Sequence, residues 1–247
     1  MNLILLEERD RVDGPVFRLD GGRARHVREV LGAEPGRDLR VGLLEGPLGS
    51  ARVRSIGAGD GEVILECAFE AAPPPRPPLD LVLAIPRPKS LGKLLPEVTA
   101  LGLDRLVLLR TWRVQKPYLT ARALEPEAYR PLLHEGLMQA RSTREPRVEV
   151  EPLFKPWVED RAPALLAGAR GLVAHPGAAT DLATVRIAPD ERVVLAIGPE
   201  GGLVAYEVEA LERAGFLPVS IGPRTLRVET ACVSALAQIG LLRRQTD

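Results

Sequence analysis

The residues best suited to do chemistry gather in two glycine-bearing stretches, Ile197-Gly-Pro-Glu-Gly-Gly-Leu203 and Ile221-Gly-Pro-Arg-Thr-Leu-Arg-Val-Glu-Thr-Ala231. Each offers backbone amides with few side chains in the way. Together they carry a carboxylate at Glu200, guanidiniums at Arg224 and Arg227, and a second carboxylate at Glu229. The usual equipment for phosphate or acyl chemistry is missing. No Gly-x-Gly-x-x-Gly opens a βαβ unit, no Walker sequence supplies a lysine, and no Gly-x-Ser-x-Gly elbow supplies a nucleophile. Backbone donors and acceptors with apolar walls suit adenine and a sulfonium-bearing amino acid better than a triphosphate. Gly-Pro and Gly-Gly are also ordinary turn punctuation. Two such loops, the second with charges inside it, favour a crevice over a pair of plain turns.

Both stretches follow apolar runs of strand type, Val193 to Ile197 and Leu217 to Ile221, and both precede helical patterns. This predicts two loops leaving neighbouring strand ends. At the C-terminal edge of a parallel sheet, amides and helix N-termini converge on a ligand. The elements before them fit such a sheet. Leu79 to Ile85 is apolar throughout except for Asp80, as in a strand covered on both faces. Leu91, Leu94, Leu95, Val98 and Leu101 recur at helical spacing, with Pro96 expected to disturb the middle of that helix. Arg105 to Leu109 and Gly171 to Ala174 read as strands, and Pro126 to Ala140 and Val228 to Leu242 as helices. Residues 79–247 are therefore expected to form an α/β domain with a mainly parallel sheet.

The first part of the chain follows another pattern. Val16 to Leu19, Asp38 to Val41, Ala51 to Ile56 and Glu62 to Glu66 are short strand-type runs, broken at Gly21-Gly22, Gly46 to Gly49 and Gly57 to Gly61. With one helix near Ala24 to Leu31 they predict a small β-barrel over residues 1–72. Five prolines within Pro73 to Pro78 predict an extended linker there.

Lys plus Arg and Asp plus Glu number 33 each, so no global field draws nucleic acid or a membrane, and any such partner must rely on local clusters. Only four basic residues are lysine (Lys89, Lys93, Lys116 and Lys155), a bias that suits bidentate contact with phosphate but also follows from genomic base composition. Arg18, Arg23, Arg25, His26 and Arg28 crowd together near the first helix, either to hold RNA phosphates or as a solvated helix face. A second basic excess, including Arg113, Arg141 and Arg144, lies between residues 110 and 147. Two cysteines, Cys67 and Cys232, exclude a disulfide framework and a Cys-rich metal site, and the three histidines lack ligand spacing, so no metal is expected. No leader or membrane-spanning run is seen, and a cytoplasmic location is expected.

The paired stretches resemble the motifs of the RsmE family of small-subunit ribosomal RNA methyltransferases, in the SPOUT superfamily. The resemblance extends along nearly the whole chain: His26 with Val30-Leu31 is similar to the His and Val-Leu of the family's N-terminal PUA-like domain, Gln139 and Pro146 to its central Gln and Pro, and His175-Pro176 to its strand-ending His-Pro. It implies a PUA-like small β-barrel followed by a SPOUT α/β domain with a deep trefoil knot, a homodimer, and S-adenosyl-L-methionine bound in the knot. It also implies methylation of N3 of a uridine in 16S ribosomal RNA, whether free or within the small subunit. The implied cofactor contacts fall on His175 and Pro176, on Ile197, Gly198, Pro199, Glu200, Gly201 and Gly202, and on Ile221, Gly222, Arg224, Leu226, Arg227, Glu229 and Thr230.

Three positions depart from the family pattern. Gly32 replaces an arginine, Ala100 a glutamate, and Ser142 an arginine that Arg141 and Arg144 flank. These leave the cofactor loops whole and put individual RNA contacts in question. In the reaction implied, Glu229 accepts the N3 proton and Arg227 stabilises charge on a uracil oxygen; both could instead merely shape the loop and cap the last helix. Transfer RNA as substrate, and a non-catalytic RNA-binding assembly factor on the same fold, are the competing readings.

Overall fold

The computed structural model describes residues 3–58 and 61–245 of the chain. Gly59 and Asp60, within the break expected at Gly57 to Gly61, lie outside the described residues, as do the first two and last two positions of the expected domains. Two compact units are present, Met1–Pro75 with Leu137–Glu145, and Arg76–Gly136 with Pro146–Asp247.

The first unit contains β1 (Ile4–Leu6), β2 (Arg11–Asp13), β3 (Val16–Leu19), α1 (Gly21–Arg25), β4 (Asp38–Leu43), β5 (Leu48–Ile56) and β6 (Val63–Phe69). Its sheet runs β1-β4-β5-β6-β3-β2, antiparallel except for the parallel β1–β4 pair. Alternation sorts the faces. Ala51, Val53, Leu65 and Phe17 are buried in the core, while Arg54 and Glu66 pair across the wet face at 2.8 Å. β1 and β2 were not legible, since three residues are too few for alternation to show. The helix expected at Ala24 to Leu31 starts earlier, at Gly21, and continues beyond Arg25 as a wider π-type turn over His26–Val30. The distant segment Leu137–Glu145 joins this unit because Leu137 packs on Leu3 and Leu5, and the fully buried Thr143 hydroxyl donates to the Gly46 carbonyl at 2.6 Å.

The second unit contains β7 (Leu79–Ala84), α2 (Pro88–Ala100), β8 (Arg105–Leu109), α3 (Pro126–Ala140), whose last four residues group with the first unit, and β9 (Arg147–Glu151). The short α4 (Phe154–Pro156) and α5 (Ala162–Leu166) follow, then β10 (Ala169–Ala174), β11 (Arg192–Ile197), α6 (Ala205–Arg213), β12 (Phe216–Val219) and α7 (Val228–Arg244). The six strands are all parallel, in the order β12-β10-β11-β7-β8-β9.

Alternate strand residues feed two separate cores. Leu81, Leu83, Leu106, Leu108, Leu172 and Leu195 pack under α2 and α7, and Val82, Val107, Val173 and Val194 pack against Trp157, Val158 and Leu211. Coverage on both faces explains the unbroken apolar runs of the sequence. α2 runs through Pro96 without interruption. α3 lies so close to it that a Cβ added at Gly136 would stand 2.4 Å from the Pro96 carbonyl oxygen.

The strand starts form a charged cluster. Asp80, with no exposed surface, accepts two hydrogen bonds from Arg192 at 2.8 Å, and Arg192, Arg76 and Arg147 all bond the buried Asp104. Burial pushes the Asp80 carboxyl above its ordinary value despite Arg192. At Asp104 burial also pushes upward, but the three guanidiniums together outweigh it and hold the carboxyl low. No described helix is long and apolar enough to cross a membrane.

Candidate active site

The glycine stretches leave the ends of β11 and β12, at the edge of the sheet opposite the charged cluster. They are not neighbours, as the sequence had suggested. β10 lies between them, because strand order in a parallel sheet is set by the crossovers and not by succession along the chain. The intervening strand adds a third loop, so that Ala174, His175 and Pro176 after β10 meet Ile197 to Glu200, Gly202 and Leu203 after β11, and Ser220 to Gly222 and Arg224 to Leu226 after β12. Val228 and Ala231 of α7 close the floor. These residues line one pocket, a cleft open to solvent at the strand ends.

Each loop is held by hydrogen bonds. The His175 amide donates to the Val219 carbonyl at 3.0 Å, and the Gln238 side chain on α7 donates to the Ile221 carbonyl at 3.1 Å. The Gly202 amide donates to the Pro199 carbonyl at 2.7 Å, closing a tight turn, and Gly202 itself continues the chain at a positive φ of 74°, which glycine enters without strain. Gly222, at φ 137°, occupies a region that side chains other than glycine's hardly enter, and a Cβ there would meet nothing within 4 Å. The second loop is also tied outward. Glu200 accepts from the Arg87 amide at 2.9 Å at the start of α2, and the Arg113 guanidinium donates to the Gly201 carbonyl.

Buried Glu207, in the first turn of α6, accepts from the Val204 amide at 3.0 Å and from the Trp112 amide at 2.6 Å. Val204 has no side-chain acceptor, so Glu207 alone caps that helix end. Glu207 was missed in the sequence. A Glu three residues into a helical pattern was the available signal, but without Ser or Thr before it no capping box stood out.

Of the residues expected at the cofactor site, His175, Pro176, Ile197, Gly198, Pro199, Glu200, Gly202, Ile221, Gly222, Arg224 and Leu226 line the pocket, whereas Gly201, Arg227, Glu229 and Thr230 do not. Ala174, Leu203, Ser220, Thr225, Val228 and Ala231 line it as well, within or beside the same stretches. Glu229 is half-buried at the start of α7. A hydrogen bond from the Ser90 hydroxyl of α2, then its own amide, hold its carboxyl below the ordinary value, with Arg227 and Lys93 adding positive charge.

Several basic residues expected to face RNA are engaged within the protein. Arg23 grips the buried Asp10 at 2.5 and 2.6 Å, Arg28 bonds the Gly61 carbonyl, Arg18 faces Glu62 at 3.5 Å, and Arg144 bonds the Pro74 carbonyl at 2.7 Å. Arg141 is exposed and sits just after α3 at a positive φ of 56°. Arg25 and His26 lie on the turns that follow β3. Among the described residues no group of His, Cys, Asp and Glu is placed to hold a metal.

A pocket built on backbone loops at the strand ends of a parallel α/β unit is the usual place for a ligand in an open α/β sheet. Residues 73–240 match the model of the RNA methyltransferase domain, and the chain belongs to that family. The resemblance to the RsmE family read from the paired loops is borne out along the chain. It is 29% identical over 236 residues to ribosomal RNA small subunit methyltransferase E of Mycobacterium bovis, covering 95% of this chain and 89% of that one. It is 29% identical to the protein of the same name from Treponema pallidum, covering 97% and 90%. In three dimensions it is similar, with a TM-score of 0.78 at 20% identity over 97% and 98% of the two chains, to ribosomal RNA small subunit methyltransferase E from Neisseria gonorrhoeae bound to S-adenosyl methionine.

Proposed function

We propose that this RNA methyltransferase takes its methyl group from S-adenosyl-L-methionine and places it on N3 of a uridine in 16S ribosomal RNA. The observation that carries the reading is the convergence of three strand-end loops on one pocket. The pocket fits the cofactor in kind. Ile197, Leu203, Ile221, Leu226, Val228 and Ala231 give apolar walls, and the positive-φ glycines leave backbone groups uncovered for polar edges. When bound, the cofactor supplies an electrophilic methyl group on a sulfonium.

The residues of this chain do the rest. N3 of uridine normally takes part in pairing and carries a proton, so the base must leave its stack and lose that proton. Glu229, kept ionised by Ser90, accepts it as the new N–C bond forms. A carboxylate of lowered pKa is too weak a base to deprotonate free uridine in advance, but N3 becomes far more acidic during alkylation. Arg227 stabilises the negative charge that develops on the neighbouring uracil oxygen.

The same reading carries a domain arrangement of residues 1–72 as a PUA-like β-barrel, 73–78 as linker and 79–247 as a SPOUT domain with its C-terminal part knotted. It also carries a homodimer and a cytoplasmic location, where ribosomes are assembled. The test is mass spectrometry of small-subunit ribosomal RNA from cells with and without the protein, repeated after adding the purified protein and S-adenosyl-L-methionine. Appearance of one N3-methyluridine is expected. An unchanged methyluridine content, in cells and in vitro, refutes the assignment.

A further inference from the structure

Trp112 is 82% exposed, whereas the only other tryptophan, Trp157, is 2% exposed in the core. Its exposure is built in. The Val114 amide donates to the Thr111 carbonyl at 3.1 Å, so Trp112 and Arg113 are the two central residues of a tight turn whose outer residues, Thr111 and Val114, are buried at 3% and 6%. Such positions usually hold Gly, Asn, Asp, Pro or Ser, and an indole there gains almost nothing from burial.

The turn is fixed to the candidate active site on both sides of the indole. The Trp112 amide is held by buried Glu207 at 2.6 Å, and the Arg113 guanidinium holds the Gly201 carbonyl, between two residues that line the cofactor pocket. The surrounding chain, Arg110-Thr-Trp-Arg-Val-Gln-Lys116, has three cations and no acid. An exposed aromatic face on a turn bonded to the pocket loop, in a segment that carries Arg110, Arg113 and Lys116, matches an anionic polymer with planar bases.

The geometry points to Trp112 as a substrate-positioning residue that stacks on a base of single-stranded RNA at the mouth of the methyl-transfer site. This deepens the proposed function and rests on it. A base taken out of its stack loses two neighbours, and an indole face at the rim replaces one of them.

The experiment is a fluorescence titration of the full-length protein with a single-stranded RNA oligonucleotide carrying the methylated uridine, alongside steady-state methylation of that RNA. Wild-type emission is expected to be quenched by RNA, and that of Trp112→Phe, which retains only the buried Trp157, to stay constant. Trp112→Ala should bind RNA about 5- to 150-fold more weakly, from the usual worth of one base–aromatic stack. The loss should appear in the KM for RNA, with the KM for S-adenosyl-L-methionine unchanged, and Trp112→Phe should recover most of it. RNA affinity of Trp112→Ala within twofold of wild type overturns the assignment. So does an equal loss in Trp112→Phe and Trp112→Ala, or dissociation of Trp112→Ala to monomers in sedimentation with RNA binding intact, which would make the indole a protein contact. Wild-type protein that binds RNA through Trp112 without methylating it supports the stacking role and removes only the proposed reaction.

Discussion

Glu207 couples the turn that carries Trp112 to the loop that carries Gly198 to Gly202, and removing its carboxylate should cost both stability and RNA binding. The side chain is 2% exposed and accepts from two backbone amides, those of Trp112 and Val204. A hydrogen bond to a charged group contributes about 1.5–3 kcal/mol, so two amount to about 3–6 kcal/mol. Water reaching the exposed Trp112 turn recovers part of this, and Glu207→Ala should therefore destabilise the protein by about 3–5 kcal/mol. At about 2–4 °C per kcal/mol for a chain of this size, Tm should fall by about 6–20 °C. Glu207→Gln keeps one oxygen but turns an NH2 group towards the other amide, and about half the loss is expected. Circular-dichroism melting gives the stabilities, and RNA titration gives the function. If Glu207 acts on RNA through the turn, Glu207→Ala combined with Trp112→Ala should weaken RNA binding no further than the larger single effect. A melting loss below about 0.5 kcal/mol for Glu207→Ala, or additive losses in RNA affinity, would refute the coupling.

Three further outcomes are expected. Arg192→Met strips the buried Asp80 of both its hydrogen bonds and should cost about 3–5 kcal/mol. Because burial raises the Asp80 carboxyl above its ordinary value near 3.8, the folded variant binds the extra proton; its deficit against wild type should widen as pH rises through that window and narrow towards pH 4, as read by urea denaturation at several pH values. Glu229→Gln should abolish turnover while leaving S-adenosyl-L-methionine affinity unchanged by calorimetry. Since Glu229 in the wild type is held below its ordinary value near 4.5, any acid limb from this group should fall below that pH, and normal turnover in the variant would discard its role. Gly136→Ala drives a Cβ towards the Pro96 carbonyl oxygen, where backbone cannot yield as a side chain would, and should cost at least about 2 kcal/mol in thermal melting.

Much of this protein was legible in its residue order because parallel strands covered on both faces, and helices with one apolar stripe, leave periodic signatures. The runs at Leu79, Arg105 and Val193, the helices over Pro126–Ala140 and Val228 to Leu242, the latter observed to continue to Arg244, and the glycine loops beyond β11 and β12 were all visible in this way. Eleven of the expected cofactor residues line one pocket because they lie within loops whose backbone direction is fixed by the strands before them. Other features depend on contacts that no periodicity encodes. Strand order inserted β10 between the two loops. Asp80, an apparent blemish in an apolar strand, is buried because Arg192, 112 residues later, reaches it. Arg23 and Arg28 read as RNA contacts from charge alone, yet their guanidiniums are engaged by Asp10 and Gly61. The sequence by itself determined that two strand-end loops would leave backbone groups uncovered beside apolar walls, because local spacing dictates loops and local patterns dictate strands. Tertiary structure alone decided which charges are paired inside the protein and which tryptophan, Trp112, is left exposed on a turn tied to the pocket loop, since pairing and exposure depend on residues far apart in the chain.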